Sequence, residues 1–342
     1  MKKLISVLLI AATLALTCSL SSCGLFDALS GKVPTVYSDP EKYTAGNAEF
    51  EGNVDSLSIW WLAGSVTVKT HAEDTVKIEE SANRELDDTF SLHWRYFDAS
   101  EYGMVLNIYY SSSGNHDFDD LSKDITVYLP EQDGMDISLT VDSAAVDIDT
   151  SGFDNTLDEL SVSTNSGRIS AKIDSADSVR ISGQNEDDVP TENREFILKA
   201  DGTVYDLGIS SSYAKLDVDA KEIRSGEVMT VFADLSLNAE KIRRLTVYNS
   251  DGKIDATLLS FEELEIENRD GACELTLSPE ASFTLTLAEK NRFNEKMTPS
   301  KISVEFEGAT QDGTCYTVGS GEKAIEIATC GDIRILPIAN EE

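Results

Sequence analysis

Three consecutive segments of equal length decide the fold: LDVDAKEIRSGEVMTVFAD (residues 216–234), LSLNAEKIRRLTVYNSDGK (235–253) and IDATLLSFEELEIENRDGA (254–272). Aligned on one another, they place apolar residues in four shared columns at a constant step along the chain. Units of about 19 residues that recur at a fixed period are typical of stacks that share one continuous core. The columns are Leu216, Leu235, Ile254 and Cys273; Val218, Leu237, Ala256 and Leu275; Ile223, Ile242 and Phe261; and Val228, Val247 and Ile266.

Each unit contains two short runs in which apolar and polar residues alternate, for example Leu245-Thr246-Val247 and Ile254-Asp255-Ala256. This alternation is the pattern of β-strands, and the turn residues Asn249–Gly252 separate the two runs. Nearly every segment after residue 54 alternates in the same way. The sequence therefore predicts an all-β chain whose units stack as a β-helix or β-solenoid. A sandwich of β-hairpins is the alternative, although it does not explain four columns in one register.

The repeat divides the chain into regions. A looser version begins earlier, where Val141, Leu160 and Val179 are spaced at the same step, and an acidic excursion at 184–194 interrupts it. We assign residues 131–342 to the solenoid repeats. Residues 47–130 lack the repeat and are rich in aromatic residues, so we expect a β-meander that caps the open end of the stack. The two regions should form one continuous domain.

The N-terminus has the pattern of an export signal. Lys2 and Lys3 precede an apolar run, Leu4–Leu16, which is too short to span a bilayer of about 30 Å. Leu20-Ser21-Ser22-Cys23 then resembles the bacterial lipobox. The resemblance implies that residues 1–22 are removed as a lipoprotein signal peptide and that Cys23 carries lipid. An ordinary signal peptide cleaved elsewhere is the alternative. Residues 23–46 would form a tether that holds the protein at the extracytoplasmic face of a cell membrane.

The charge of the chain restricts its partners. The formal net charge is -34, and removing residues 1–22 deletes Lys2 and Lys3 but no acidic residue, so it becomes -36. Such a chain repels phosphate backbones and anionic headgroups, which argues against nucleic-acid binding and against electrostatic attachment to a membrane. Attachment to the membrane is therefore expected through lipid.

Several elements of the chain resemble the bacterial "putative adhesin" family of β-strand-repeat proteins. The opening unit with Gly64 and Val66-Thr67-Val68 is followed by Asp74–Ile78, then by Ile125–Pro130 with its Leu-Pro step, and then by repeated Ser-Gly-x-Ile units. The resemblance covers about residues 48–336. It implies a right-handed β-helical fold and little about activity.

The sequence offers few candidates for chemistry. It contains no Gly-x-Ser-x-Gly or His-Glu-x-x-His motif. We therefore expect a non-enzymatic protein without a cofactor, acting in adhesion or as an envelope scaffold, whose partners are an envelope protein or a polysaccharide. One alternative is a carbohydrate-active β-helix enzyme that uses Asp147, Asp149, Asp217 and Asp219. The other is a calcium-stabilised solenoid, with Asp117, Asp119 and Asp120 as the ligands.

Two further features bear on packing. Cys315 and Cys330 are candidates for a disulfide in an oxidising compartment, whereas Cys273 belongs to an apolar column and should be buried. Trp60 and Trp61 are adjacent in a predicted strand and must point to opposite faces. One of the two should therefore be buried, and the other either exposed as part of a binding platform with Tyr109 or Tyr110, or covered by a neighbouring segment.

Overall fold

The computed structural model describes residues 35–100, 102–152, 156–183 and 195–339. The predicted signal peptide, Cys23 and the excursion at 184–194 lie outside these residues. The described part is all-β, and its 24 strands belong to one hydrogen-bonded sheet. A 3-10 turn at Pro40–Lys42 is the only helical element within it. None of the described segments is a helix long and apolar enough to cross a bilayer.

The strands are short at both ends of the chain and long in the repeat region. They are Thr44–Ala45 (β1), Ala48–Glu51 (β2), Ser56–Trp61 (β3), Gly64–His71 (β4), Thr75–Ala82 (β5), His93–Asp98 (β6), Met104–Tyr109 (β7), Lys123–Pro130 (β8), Met135–Val141 (β9), Ala145–Asp149 (β10), Thr156–Thr164 (β11), Ile169–Ile173 (β12), Ser175–Gly183 (β13), Glu195–Ser212 (β14), Lys215–Val231 (β15), Leu235–Asn249 (β16), Ile254–Asn268 (β17), Cys273–Leu277 (β18), Phe283–Leu287 (β19), Lys301–Val304 (β20), Thr310–Asp312 (β21), Cys315–Val318 (β22), Lys323–Thr329 (β23) and Asp332–Pro337 (β24).

Two parallel ladders make up most of the sheet. The first ladder runs through β3, β9, β11, β13, the second halves of β14 to β17, and β23. The second runs through β4, β10, β12, the first halves of β14 to β17, β18 and β24. Each of the four long strands therefore belongs to both ladders. Parallel neighbours exclude a sandwich of hairpins in the repeat region, because strands joined in a hairpin pair antiparallel.

The strand pairing follows the predicted columns. Leu216 pairs with Leu235, Leu235 with Ile254, and Ile254 with Cys273, and all four are at most 1% exposed. The other three columns pair in the same register and are buried as well. Burial of such side chains stabilises a fold by about 1.5–3 kcal/mol each.

The register proposed for the start of the earlier repeat is wrong by four residues. Leu160 pairs with Ile137 rather than with Val141, and Val141 pairs with Thr164. The step is longer here than in the later repeat because six residues separate β10 from β11, whereas a single residue separates β12 from β13 at the corresponding corner of the next unit. Core packing restricts the strands but leaves the length of an exposed turn free. On its other side Leu160 pairs with Val179, as predicted.

The N-terminal region is more than a capping meander. Strands β3 and β4 pair parallel with β9 and β10 inside the ladders, and β7 and β8 extend the ladders outward in parallel. Only the outer pairs β5–β8, β6–β7, β2–β5 and β1–β6 are antiparallel. The expected boundary between residues 130 and 131 therefore falls within the ladders.

The second half of the predicted tether also packs on the domain. Tyr37 is buried, with its ring 4.0 Å from that of Tyr109, and β1 pairs with β6. The Thr35 carbonyl oxygen accepts a hydrogen bond of 2.8 Å from the Gly114 amide. Aromatic burial explains the difference, because a free tether would leave Tyr37 and Tyr43 exposed to water.

At the C-terminal end the chain inserts strands between layers already formed by earlier segments. Strand β23 lies between β17 and β19, and β24 lies between β18 and β20. The antiparallel pairs β19–β22 and β21–β22 then close this end. Antiparallel strands thus cover both ends of the first ladder and the N-terminal end of the second, which protects those edges from pairing with other chains, while β20 is the last strand of the second ladder.

A fifth column in the repeat is polar and buried. Thr230, Asn249 and Asn268 pair in successive strands and are at most 5% exposed. The Asn249 Nδ2 donates to the Ala233 carbonyl at 2.9 Å, and the Asn268 Nδ2 donates to the Gly252 carbonyl at 2.9 Å. Each amide therefore satisfies a turn carbonyl of the preceding unit and ties neighbouring turns together.

Candidate functional site

The predicted lipidation site, Cys23, lies outside the described residues, so its chemistry stays a prediction. The structure does not assemble the predicted calcium site. Asp117 Oδ1 accepts a hydrogen bond of 3.1 Å from the Asp119 amide, whereas the Asp120 carbonyl oxygen accepts one from Asn83. Nowhere in the described part do three or more His, Cys, Asp or Glu side chains form a group that could hold a metal ion.

The four acids considered for sugar cleavage stay in two separate pairs. Asp149 and Asp219 lie in one row across the ladder, and Lys172 and Lys199 occupy the two positions between them. Three strand spacings of about 4.8 Å separate the pairs by about 14 Å. The acid pairs of glycosidases are only about 5–9.5 Å apart. A groove built on all four acids is therefore not formed.

Cys315 and Cys330 are not brought together. Cys315 pairs with Thr286 on β19, and Thr286 pairs with Glu326 on β23, four residues before Cys330. Two strand spacings already amount to about 10 Å, and a disulfide needs Cα atoms closer than about 7 Å. Both thiols are free in the structure. Cys273 is buried as predicted, and burial raises the pKa of its thiol to about 12.

The tryptophan pair divides as predicted, and a neighbouring segment covers the outer ring. Trp61 is fully buried. Trp60 stacks on Tyr109 with ring centroids 4.4 Å apart, and Tyr37 stacks on the other side of Tyr109. The segment around Tyr37 therefore takes up the surface that an exposed platform would have needed.

A buried ion pair in the same region has no signal in the sequence. Lys123 is fully buried, and its Nζ lies 2.6 Å from Glu80 Oε1, while the Glu80 side chain is only 5% exposed. The ammonium also donates to the carbonyl oxygens of Phe90 and Tyr110 and lies 4.9 Å from the centre of the Trp61 ring. Burial lowers the pKa of Lys123 to about 8, against the opposing effect of Glu80. All three ammonium protons are donated to atoms of the protein, so none remains for a ligand. The Lys123–Glu80 pair is therefore a structural element of the N-terminal end.

The best candidate for a binding site is a groove on the outer side of the first ladder, with a volume of about 510 Å³. Its floor consists of outward-facing residues from successive strands, among them Met229, Val231 and Tyr248. They alternate with the buried columns, because neighbouring residues of a strand face opposite sides. The full lining is Ser210, Ser211, Ser212, Met229, Thr230, Val231, Tyr248, Asn249, Ser250, Glu267, Arg269, Asn291, Arg292, Phe293, Glu295 and Met297.

A short hairpin-like loop between β19 and β20 forms the wall of the groove. The Met297 amide donates to the Glu289 carbonyl at 2.8 Å, and the Asn291 side chain bonds the amides of Phe293 and Glu295. The loop places the Arg292 guanidinium 3.7 Å from the centre of the Tyr248 ring and leaves Phe293 69% exposed. Burial raises the pKa of the Tyr248 hydroxyl above its usual range.

Two stacked aromatic residues mark the edge of the groove. Tyr213 and Phe232 follow the lining residues Ser212 and Val231, and their rings stack at 5.2 Å. Both have left-handed backbone conformations, with φ of 63° and 55°. Such a conformation is unusual for a bulky residue and costs on the order of 1–3 kcal/mol. Strain of this kind concentrates at functional sites, which adds weight to this surface as a binding site.

The sequence contains little signal for this site. Met229 and Tyr248 stand one repeat apart in an outward column, whereas the four apolar columns that predict the fold are the buried ones. The wall of the groove lies outside the repeat, and no period could have placed it beside Tyr248.

No protein-family model matches the chain, and no curated protein matches its sequence. Among solved structures, it is similar to a "putative adhesin" from Parabacteroides merdae (10% identity, covering 87% of this chain and 97% of that one, TM-score 0.36). It is also similar to a "putative adhesin" from Bacteroides fragilis (10% identity, 86% and 97% covered, TM-score 0.32). A third similar structure is a "putative cell adhesion protein" from Clostridium sporogenes (12% identity, 86% and 100% covered, TM-score 0.20). All three TM-scores lie below 0.5, so the description of the fold rests on the strand pairing of this chain itself.

Proposed function

We propose that this chain is a non-enzymatic, lipid-anchored protein of the cell envelope that binds an envelope partner through the groove, as an adhesion or scaffold module. The distribution of exposed apolar side chains carries the proposal. Eight large apolar side chains are exposed in the described part; Met229, Val231 and Phe293 line the groove, and Phe232 lies at its edge. Clustered exposed apolar surface is characteristic of interaction sites.

The proposed architecture is a right-handed β-helix that holds the groove away from the membrane. Parallel ladders with a constant step in the repeat support the stacking, and parallel crossovers are nearly always right-handed. The lipobox at Leu20–Cys23 supports the lipid anchor. Because Tyr37 packs on the domain, the proposed tether after Cys23 has at most about a dozen residues, which limits the distance it can bridge to roughly 40 Å.

Binding to isolated envelopes of the host tests this function. The wild-type chain from Gly24 onward should sediment with the envelopes, and a Met229→Ser, Phe293→Ser double variant should lose most of that binding. Both side chains are exposed, so the double variant should keep the wild-type Tm. Leu259→Ser is the matched control, because Leu259 is 55% exposed but lies outside the groove. Equal sedimentation of the double variant and the wild type would show that the groove is not the binding site.

A further inference from the structure

We propose that the groove binds an extended polypeptide segment in which a carboxylate lies next to a large apolar side chain, with Arg292 as the anchor for the carboxylate. This inference rests on the proposed function and specifies the chemistry of the ligand.

Arg292 differs from most of the arginines because no carboxylate oxygen of the described residues lies within 4.0 Å of its guanidinium, although the charge of Glu265 acts on it from a longer distance. Every other arginine of the described part except Arg84 has a carboxylate oxygen within 4.0 Å. The chain has 62 acidic residues, so a guanidinium without a partner is uncommon on its surface. A guanidinium presents a planar set of donors that matches a carboxylate. The groove therefore combines apolar surface with a guanidinium that has no carboxylate oxygen of the described part within 4.0 Å, beside the carboxylates of Glu267 and Glu295 in its lining.

The guanidinium is held in position before any ligand binds. Its face stacks on the Tyr248 ring, and the Arg292 amide donates to Glu267 Oε1 at 2.8 Å. The Asn291 side chain fixes the loop through the Phe293 and Glu295 amides, at 3.0 and 2.9 Å. Little conformational freedom remains to be lost on binding, which favours affinity.

The apolar part of the ligand would lie against Met229, Val231 and Phe293. Aromatic residues, Met and Arg are the types enriched in the cores of protein–protein interfaces. A polysaccharide carries hydroxyl groups along its whole length, and Met229, Val231 and Phe293 offer them no hydrogen-bond partner. The floor strand β15 is paired on both sides, with β14 and β16, so the ligand is recognised through side chains and does not add a strand. These features favour a polypeptide.

A phage-displayed library of random dodecapeptides, selected on the immobilised chain, tests the proposal. The selected peptides should carry Asp or Glu beside a large apolar residue. Synthetic copies should bind Arg292→Gln at least tenfold more weakly than the wild type, since a charge-assisted contact is lost. Val231→Ser should weaken binding by a similar factor. Arg243→Gln is the matched control, because Arg243 is an exposed arginine outside the groove and should not change the affinity.

Two outcomes would overturn the proposal. Selected peptides without acidic residues, or with equal affinity for wild type and Arg292→Gln, would exclude the carboxylate anchor. Binding of polygalacturonate that depends on Arg292, in the absence of selected peptides, would identify an acidic polysaccharide instead. In either case, envelope binding that still depends on Met229 and Phe293 would support the proposed function, and only the proposed chemistry of the ligand would be wrong.

Discussion

Replacing Lys123 by Met should strongly destabilise the N-terminal end of the ladders. The substitution keeps the length and apolar character of the side chain but removes the ammonium that lies 2.6 Å from Glu80 Oε1. The Glu80 carboxylate would stay buried with the Leu92 amide as its remaining donor. The carbonyl oxygens of Phe90 and Tyr110 would lose their bonds to the ammonium. Breaking a buried pair from one side costs about 3–5 kcal/mol.

Urea denaturation and calorimetry measure this cost. At about 2 °C per kcal/mol for a chain of this size, a loss of about 4 kcal/mol lowers the Tm by roughly 8 °C. The Lys123→Met, Glu80→Leu double variant should recover most of the loss, because replacing both charges by apolar groups is often nearly neutral.

Lys77→Met is the matched control for Lys123→Met. Lys77 Nζ also lies 2.6 Å from a glutamate, Glu79, but both side chains are more than 40% exposed. An exposed pair contributes only about 0–1 kcal/mol. If Lys123→Met and Lys77→Met lower the free energy of unfolding by the same amount, burial does not make the Lys123–Glu80 pair more important for stability than an exposed pair.

Three further predictions concern the repeat, the pH dependence and the anchor. Ala256→Asp buries a carboxylate in an apolar column and should lower the Tm by at least 5 °C, whereas Thr257→Asp, which faces outward on the same strand, should change it little; similar Tm values would contradict the register. Burial raises the pKa of Tyr37 to about 12 in the folded chain, whereas the phenol of the unfolded chain loses its proton near pH 10. The buried, protonated Tyr37 therefore contributes fully to stability below about pH 10, and this contribution is lost as the pH rises towards about 12. The urea midpoint should therefore fall over this range, and less so in Tyr37→Phe; an equal fall in both would exclude Tyr37 as a cause. Cys23→Ser should release the chain from the membrane fraction into the soluble fraction of the host, and unchanged membrane association would contradict lipidation at Cys23.

The repeat region could be predicted because one residue in two is buried and the turns have a constant length. Leu235, Ile254 and Cys273 recur at the step that the strand pairing requires, so the period alone gives the register. Where turns vary in length, as between β10 and β11, the constant period predicts Val141 as the partner of Leu160, which is four residues away from the actual partner Ile137. The polar column of Thr230, Asn249 and Asn268 keeps the period as well, but polar residues in a sequence do not indicate burial.

The features outside the repeat depend on contacts that no period encodes. Lys123 meets Glu80 only because β8 pairs antiparallel with β5, and neither residue differs in the sequence from a surface charge. Arg292 becomes a candidate binding residue because the loop after β19 folds back over Tyr248. Pairing between non-repeating strands and the path of a loop are properties of the tertiary structure, and they decide where the groove and the buried ion pair lie.

The insertion of β23 and β24 sets a sequence of events for folding. A chain that emerges N-terminus first can add strands to the two ladders in order as far as β18. Strands β19 and β20 cannot join the ladders before β23 and β24, because β23 lies between β17 and β19 and β24 lies between β18 and β20. The last layers are therefore completed only after Lys323–Thr329 and Asp332–Pro337 have been synthesised. A truncated chain that ends before Lys323 loses an interior layer rather than a dispensable tail. It would expose the open edges of β17 and β18, the kind of surface that aggregates or is degraded. Completion of the C-terminal layers thus depends on the two strands β23 and β24, which follow all the other strands of the sheet in the chain.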